Sequence, residues 1–289
     1  MSAAVPDSRL VQQLVGAALA EDRAAGDVTT AALVPADQRG RAAIVAKAEG
    51  VLAGLPVAEA TFLTVDPTLR WRAHAQDGEA VRPGKPIAEI EGALASILRA
   101  ERVALNFLCH LSGVATAANR VVCRLQGTSC RLRDTRKTTP GLRALEKYAV
   151  RVGGGENHRL DLADGVLIKD NHLAALRKRG LGVADAVRLA RAANPGKRIE
   201  IEVTSLQEAR EALETGADEL LLDNMDLDEM RKIVAIVSAR SPRPALEASG
   251  GITLENVRDI AETGVDYVSM GAVTHSASAL DISLEVEPA

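Results

Sequence analysis

IEIEVTSLQEAREALETGADELLLDNMDLDEMRKIVAIVSA, from Ile199 to Ala239, runs through one pattern twice. The apolar run Ile199–Val203 precedes the amphipathic stretch Leu206–Thr215, and the run Glu219–Leu222 precedes Leu227–Ala239. Apolar runs this short have strand length, whereas apolar residues returning every three or four positions mark one face of a helix. Such alternation predicts parallel strands covered by helices. The pattern extends outward in both directions. Strand-like runs at Cys130–Arg133, Val166–Ile168, Pro244–Glu247 and Asp266–Met270 bring the units to six, with helical stretches at Val183–Ala193 and Leu254–Thr263. Six units rather than eight predict a short or irregular α/β barrel, with an open doubly wound sheet as the structural alternative.

Upstream the texture differs. Asp7 or Ser8 can cap a first helix whose apolar stripe is Leu10, Leu14, Val15, Ala18 and Leu19. From Arg41 to Gly92, short apolar runs such as Ala42–Ala46 and Val51–Leu55 alternate with the turn signals Asp77-Gly78, Pro83-Gly84 and Glu91-Gly92, which predicts small antiparallel strands. A long helix follows over Leu94–Leu125. Arg99, Arg102, Asn106 and His110 lie on a stripe distinct from its apolar one, and Gly113 marks a bend or a close approach.

The informative feature of the alternating half is where its polar residues fall. The first strand runs into Asp134-Thr135-Arg136-Lys137 and the second into Lys169-Asp170-Asn171-His172; the third ends near Glu202 and the fourth at Asp223-Asn224; the fifth runs into Ser249-Gly250-Gly251 and the sixth into Gly271-Ala272. One charge after a strand is ordinarily loop solvation. Six strands obeying one rule are different, because parallel barrel strands bring all these ends to one face, where active sites are built. Arg136, Lys137, His158, Arg159 and Lys169 make a cationic half suited to carboxylate or phosphate. Glu202 and Asp223 supply hard oxygens suited to Mg²⁺, which keeps waters and borrows substrate oxygens. The glycine turns after strands five and six can cradle a phosphate with backbone N–H groups.

Composition narrows the function classes. The chain has 289 residues, enough for one large domain or two moderate ones, with 47% hydrophobic and 26% charged residues. Aromatics are 2% and the net charge is −4, which argues against nucleic-acid stacking platforms or a global basic field. Any anion site is therefore a local cluster. Cys109, Cys123 and Cys130 have neither CxxC nor zinc-ligand spacing, which fits reduced thiols in the cytoplasm. Met1–Leu10 has no leader-like apolar region, and no run is long enough to predict a membrane helix. Gly153-Gly154-Gly155 lacks dinucleotide-fingerprint spacing, and GxxxxGK[ST] is absent.

The run DTRKTTPGLRALEKYAVRVGGGENHRLDLADGVLIKDNHL, Asp134–Leu173, resembles the signature region of the quinolinate phosphoribosyltransferase family. The likeness continues in EDRAAGDVTT (Glu21–Thr30), ERVALNFLCHLSGVAT (Glu101–Thr116), LLLDNM (Leu220–Met225), LEASGGIT (Leu246–Thr253) and VDYVSMGAVTHSA (Val265–Ala277). It implies an N-terminal α/β sandwich domain, expected over 1–116, and a C-terminal irregular α/β barrel of six to seven strands, expected over 117–275. The tail 276–289 is a candidate to return to the first domain. The implied reaction joins quinolinate and phosphoribosyl pyrophosphate, with Mg²⁺, to give nicotinate mononucleotide, CO₂ and pyrophosphate. The implied assembly is a homodimer or a dimer-based higher oligomer.

By motif position, Arg136, Lys137, His158, Arg159 and Lys169 match the family's quinolinate pocket, and Thr135 is counted with them. Arg102 matches an arginine supplied by the partner subunit. Glu202 and Asp223 match the acids facing ribose and metal, and Ser249, Gly250, Gly251, Met270, Gly271 and Ala272 match the binders of the 5′-phosphate, with His275 as a candidate contact. Lys137, Glu202 and Asp223 are the expected catalytic residues. A relative with another aromatic acid, a molybdenum-transport-associated homologue and a non-catalytic ligand-binding protein are the alternatives. A carrier module is a further one, suggested by DGEAVRPGKPIAEIEG at Asp77–Gly92, although Lys85 sits between Gly84 and Pro86 rather than in a carrier-type hairpin.

Overall fold

The computed structural model describes residues 5–288 and divides into two compact units. The readings made on Met1–Ala4, and on Ala289 at the end of the 276–289 tail, lie outside the described residues. The first unit comprises residues up to Asn119, Thr138–Gly154 and the chain from Val273 onward; the second comprises Arg120–Lys137 and Gly155–Ala272. The division at Asn119 lies close to the expected boundary at 116. The segment 138–154, which falls inside the expected barrel domain, belongs to the first unit.

In the first unit, α1 (Ser8–Glu21) starts at Asp7, whose carboxylate accepts the N–H groups of Arg9 and Leu10. After α2 (Val28–Leu33) come the strands β1 (Arg39–Ala46) and β2 (Gly50–Val51), then α3 (Leu55–Val65), β3 (Arg70–Ala73), β4 (Ala80–Val81) and β5 (Pro86–Ala93). The strands pair antiparallel, in the order Ile282–Pro288, β1, β5, β3, while β2 and β4 form a separate short ladder. The run Val51–Leu55 is not one strand, because the chain leaves β2 and enters α3 at Leu55. The α3 helix is buried along much of its length and carries Pro56 in its first turn, so it lacks the polar face that marks a surface helix.

The long helix α4 (Leu94–Leu125) has the bounds its periodicity predicts. Ile44, Leu52, Phe62, Ile87, Ile90, Ile97 and Leu108 share one core cluster. At Gly113 of α4, a Cβ would overlap the backbone carbonyl of Ser278, so the glycine serves close approach rather than a bend. The returning tail also fastens itself through the Leu280 N–H to the Cys109 carbonyl at 2.9 Å. The helix α5 (Arg143–Val152) completes this unit.

The second unit contains β6 (Arg131–Arg133), β7 (Val166–Ile168), β8 (Ile199–Val203), β9 (Glu219–Asp223), β10 (Ala245–Ser249) and β11 (Tyr267–Ser269). All are parallel, in the order β6-β11-β10-β9-β8-β7. Glu156 adds a single parallel bridge on the free edge of β6, with its N–H 2.8 Å from the Leu132 carbonyl. The side chains show that this sheet curls. Arg133 of β6 hydrogen-bonds Glu219 of β9, three strand spacings and ~14 Å away in a flat sheet. His158, beside the outer edge of β6, lies 2.7 Å from Glu200 of β8, five spacings or ~24 Å away in a flat sheet. The sheet is therefore an irregular barrel rather than the open doubly wound alternative.

Helices α6 (Asp170–Arg177), α7 (Val183–Ala193), α8 (Leu206–Leu213), α9 (Leu227–Ser238) and α10 (Val257–Ala261) follow their strands. Ile201, Leu220, Leu222, Leu246, Ala248 and Val268 are buried aliphatic strand residues. Alternate residues are polar: Arg133, Glu200, Glu219, Glu247 and Ser269 are buried as well. Among the described residues, no helix is long and apolar enough to cross a membrane.

Candidate active site

Asp134, directly after β6, is fully buried, and its carboxylate accepts the His158 N–H at 2.9 Å. Together with the Glu156 bridge, this contact holds the segment that carries His158 and Arg159 beside the end of β6. Thr135 accepts the Lys137 N–H at 3.0 Å through its Oγ1. Lys169 follows β7 and caps α6, its N–H donating to His172 Nδ1 at 2.9 Å. Asp223 stands opposite Ser249 in the β9–β10 register.

One cavity of 350 Å³ gathers these ends. It is lined by the predicted Thr135, Arg136, Lys137, His158, Arg159, Lys169, Glu202, Asp223 and Ser249. Asp134, which was read only as a strand-end residue, lines it too, as do Leu167, Leu221, Glu247 and Ser269, which were not anticipated. Gly250 and Gly251 follow β10, both with positive φ (90° and 59°), but do not line the cavity. Met270, Gly271 and Ala272 follow β11 and are likewise outside its lining; Met270 is buried and its N–H reaches the Arg133 carbonyl at 3.3 Å. Arg102 and His275 belong to the other unit. Arg102 is exposed on α4 with Glu101 3.8 Å away, and His275 is exposed with its Nδ1 2.7 Å from the Ser276 hydroxyl.

The electrostatics divide this cavity as the sequence suggests. Burial and the neighbouring Arg136 both hold the Arg159 guanidinium below its ordinary pKa, the signature of cations gathered ahead of an anion. Across the cavity, burial and the charge of Asp223 raise the Glu202 carboxyl, with Lys169 opposing. A carboxylate raised by burial and by a neighbouring carboxylate belongs to a hard-oxygen set that a divalent cation would relieve. One Asp223 oxygen, Oδ2, is engaged by the Asn224 amide at 2.9 Å. Mg²⁺ therefore fits the chemistry of Glu202 and Asp223.

Beneath the cationic half lies a buried charge cluster. Arg133 bonds Glu219 and, at 2.7 Å, Glu247, with its guanidinium carbon 3.2 Å from the Tyr267 ring centroid. Burial, then the charge of Glu200, pushes Glu247 up to about 7 despite His158 and Arg133. For His158, burial disfavours the charged form, but the hydrogen bond and charge of Glu200, with Glu247 behind it, outweigh burial and raise its pKa. In the neutral ring the proton sits on Nε2 facing Glu200, because Nδ1 accepts the Arg159 N–H at 2.7 Å. His158, Glu200 and Glu247 bring their ligand-type atoms within 4.8 Å of one another. A metal on Nε2 would require Nδ1 to carry the ring proton, and that position already accepts an N–H. The group is thus a charge cluster rather than a metal centre.

Glu200 and Glu247 each lie two residues before a predicted strand-end residue, Glu202 and Ser249, and so on the same strand face. That period of two was the signal by which the sequence could have revealed them.

Comparison with known proteins agrees with this geometry. Residues 114–285 match the family described as quinolinate phosphoribosyl transferase, C-terminal domain, and residues 27–112 match its N-terminal domain. A Mycobacterium leprae protein named nicotinate-nucleotide pyrophosphorylase [carboxylating] is 44% identical over 275 residues, covering 93% of this chain and 94% of the relative. A Bacillus subtilis protein described as a probable enzyme of the same name is 43% identical over 267 residues, with coverage of 92% and 90%. The solved nicotinate-nucleotide pyrophosphorylase from Francisella tularensis superposes with a TM-score of 0.91 at 38% identity, covering 99% of both chains. With both domain descriptions matched and relatives this similar along nearly the whole length, the chain belongs to the quinolinate phosphoribosyl transferase family.

Proposed function

We propose that the chain transfers the phosphoribosyl group of phosphoribosyl pyrophosphate to the ring nitrogen of quinolinate, with decarboxylation, to give nicotinate mononucleotide, CO₂ and pyrophosphate for de novo NAD biosynthesis. One observation carries this reading. Arg136, Lys137, His158, Arg159 and Lys169 line the same cavity as Glu202 and Asp223. Two adjacent carboxylates on an aromatic ring match the cationic half. An acceptor with one carboxylate would place less negative charge before the same five cations and so gain less from them.

The residues act by placement and charge. Arg136, Lys137, Arg159 and Lys169 hold the diacid. The ring nitrogen attacks the anomeric carbon as pyrophosphate departs, through a transition state with oxocarbenium character that Glu202 and Asp223 stabilise electrostatically. Those two carboxylates would hold Mg²⁺, which when bound draws charge from the leaving pyrophosphate. Ser249 and the turns Gly250–Gly251 and Met270–Ala272 bind the 5′-phosphate. The ribosylated ring nitrogen is then cationic and serves as the electron sink for loss of the neighbouring carboxylate.

The working unit in this reading is a homodimer, or an oligomer of dimers, in which Arg102 completes the partner's cavity; its exposure on α4 supports that role. The three free cysteines support a cytoplasmic setting. The test is product analysis. Purified protein with Mg²⁺, phosphoribosyl pyrophosphate and quinolinate is expected to release CO₂ and pyrophosphate in equal amounts with nicotinate mononucleotide. Binding of both substrates without product would refute catalysis.

A further inference from the structure

A second cavity of 350 Å³ lies in the barrel unit, lined by Arg133, Asn157, Gly165, Val166, Lys197, Arg198, Glu200 and Glu219 among others. Gly165 precedes β7, Lys197 and Arg198 precede β8, and Glu219 opens β9, so this chamber lies toward the N-terminal ends of the strands, opposite the strand-end site. His158 and Arg159 line both cavities and so form the wall between them. Three polar atoms on its lining residues, Asn157 Oδ1, Arg159 Nε and Glu200 Oε1, are buried without a hydrogen-bond partner, and Glu200 is only 4% exposed. Buried polar groups of that kind are met by ordered water where the space is polar and roomy enough. The chamber satisfies both conditions.

The reaction needs a proton at C2 of the acceptor ring. When the C2 carboxylate leaves the ribosylated ring as CO₂, the bonding pair stays on C2 beside the cationic nitrogen, and a proton must form the new C2–H bond. In the proposed function the phosphoribosyl group occupies the strand-end mouth, while the carboxylates face the cations in front of His158 and Arg159. We infer that the rear chamber is a water reservoir whose solvent reaches C2 past His158 and Arg159 and delivers this proton. A chamber water gives the proton to C2, and the hydroxide left behind takes a proton from bulk solvent through the chamber's outer opening. This inference rests on the proposed quinolinate reaction.

Gly165 offers a way to fill the chamber. A Cβ there meets only the Arg198 carbonyl, at 3.9 Å, and its φ lies outside the left-handed region, so Gly165→Leu fits the backbone. Asn157→Leu removes one of the unpartnered acceptors without depending on that packing. Single-turnover rapid-quench measurement reads pyrophosphate and CO₂ separately. CO₂ still held in the site re-adds to the C2 carbanion until that carbon is protonated, so in either folded variant pyrophosphate release is expected to stay within about threefold of wild type, while net CO₂ release slows at least about tenfold and the dicarboxylate mononucleotide accumulates. CO₂ release that keeps pace with pyrophosphate in both variants would overturn the inference, as would an equal fall of both steps. A wild-type chain that releases no pyrophosphate with quinolinate would instead overturn the acceptor assignment, and the inference with it.

Discussion

Arg159 shows how one side chain can be read for function. Its guanidinium reaches the Gly165 carbonyl at 3.1 Å, its N–H holds the His158 ring, and Arg136 and burial disfavour its charge. A bound carboxylate would relieve that strain. Replacing Arg159 or Lys137 with Ala is expected to raise the quinolinate KM and lower turnover, with about 2–3 kcal/mol lost from kcat/KM, or roughly 30- to 150-fold. Steady-state kinetics on each variant check this, and near-native constants in both would remove them from the pocket.

Glu247 makes a separate prediction, for stability. Its folded-state pKa of about 7 lies above the ordinary carboxylate value of 4.5, so the folded protein holds this proton more tightly than the unfolded chain. Its contribution therefore falls as pH rises from about 4.5 to about 7 and is constant above that. Thermal melts of wild type and Glu247→Gln at pH 5 and pH 8 test the sign: the variant is expected to gain relative to wild type at pH 8. A Tm difference independent of pH would contradict it.

At the scale of elements, strand ends carry the site, and they were the most legible part of the sequence. Lys169, Glu202 and Asp223 could be placed because each ends an apolar run, and parallel strands leave their C-terminal ends on one face. The inward-facing acids were legible in facing, through their period of two with Glu202 and Ser249, but not in partner. IEIEV reads as an apolar strand with polar interruptions, yet Glu200 is buried through its contact with His158, a partner 42 positions away that no local pattern reveals. The α3 helix was missed for the opposite reason, since its residues are apolar nearly all round and so hide the periodicity that α4 displays.

The turn after β10 can be tested at this scale. Gly250 has φ 90°, and a Cβ there would overlap the Asn224 side chain next to Asp223. Gly250→Ala adds ~1–2 kcal/mol of backbone strain and displaces Asn224. Its main expected effect is about a tenfold rise in the KM for phosphoribosyl pyrophosphate with a smaller change for quinolinate. A quinolinate-specific defect would place the turn on the wrong substrate.

At the scale of the molecule, the chain's family was legible from its longest motif, Asp134–Leu173, but its division into units was less so. The segment 138–154 lies inside that motif yet folds with the first unit, which depends on contacts such as His110 with Glu146 at 2.8 Å and Tyr148 with Asp77 at 2.6 Å. Assembly gives a prediction of its own. If Arg102 acts on the partner's cavity, then inactive Arg102→Ala and Lys169→Ala chains, mixed equally and allowed to exchange, regain about a quarter of wild-type activity, because half the dimers carry one intact site of two. Heterodimers with no activity would place Arg102 outside the shared site.

The central claim is that the cations after β6 and β7 form a pocket for a diacid. The most direct test compares kcat/KM for quinolinate and nicotinate as acceptors at saturating phosphoribosyl pyrophosphate. The clustered cations predict a preference for quinolinate of at least about 100-fold, since nicotinate lacks the second carboxylate that they would meet. Equal use of both acids, or a preference for nicotinate, would contradict it.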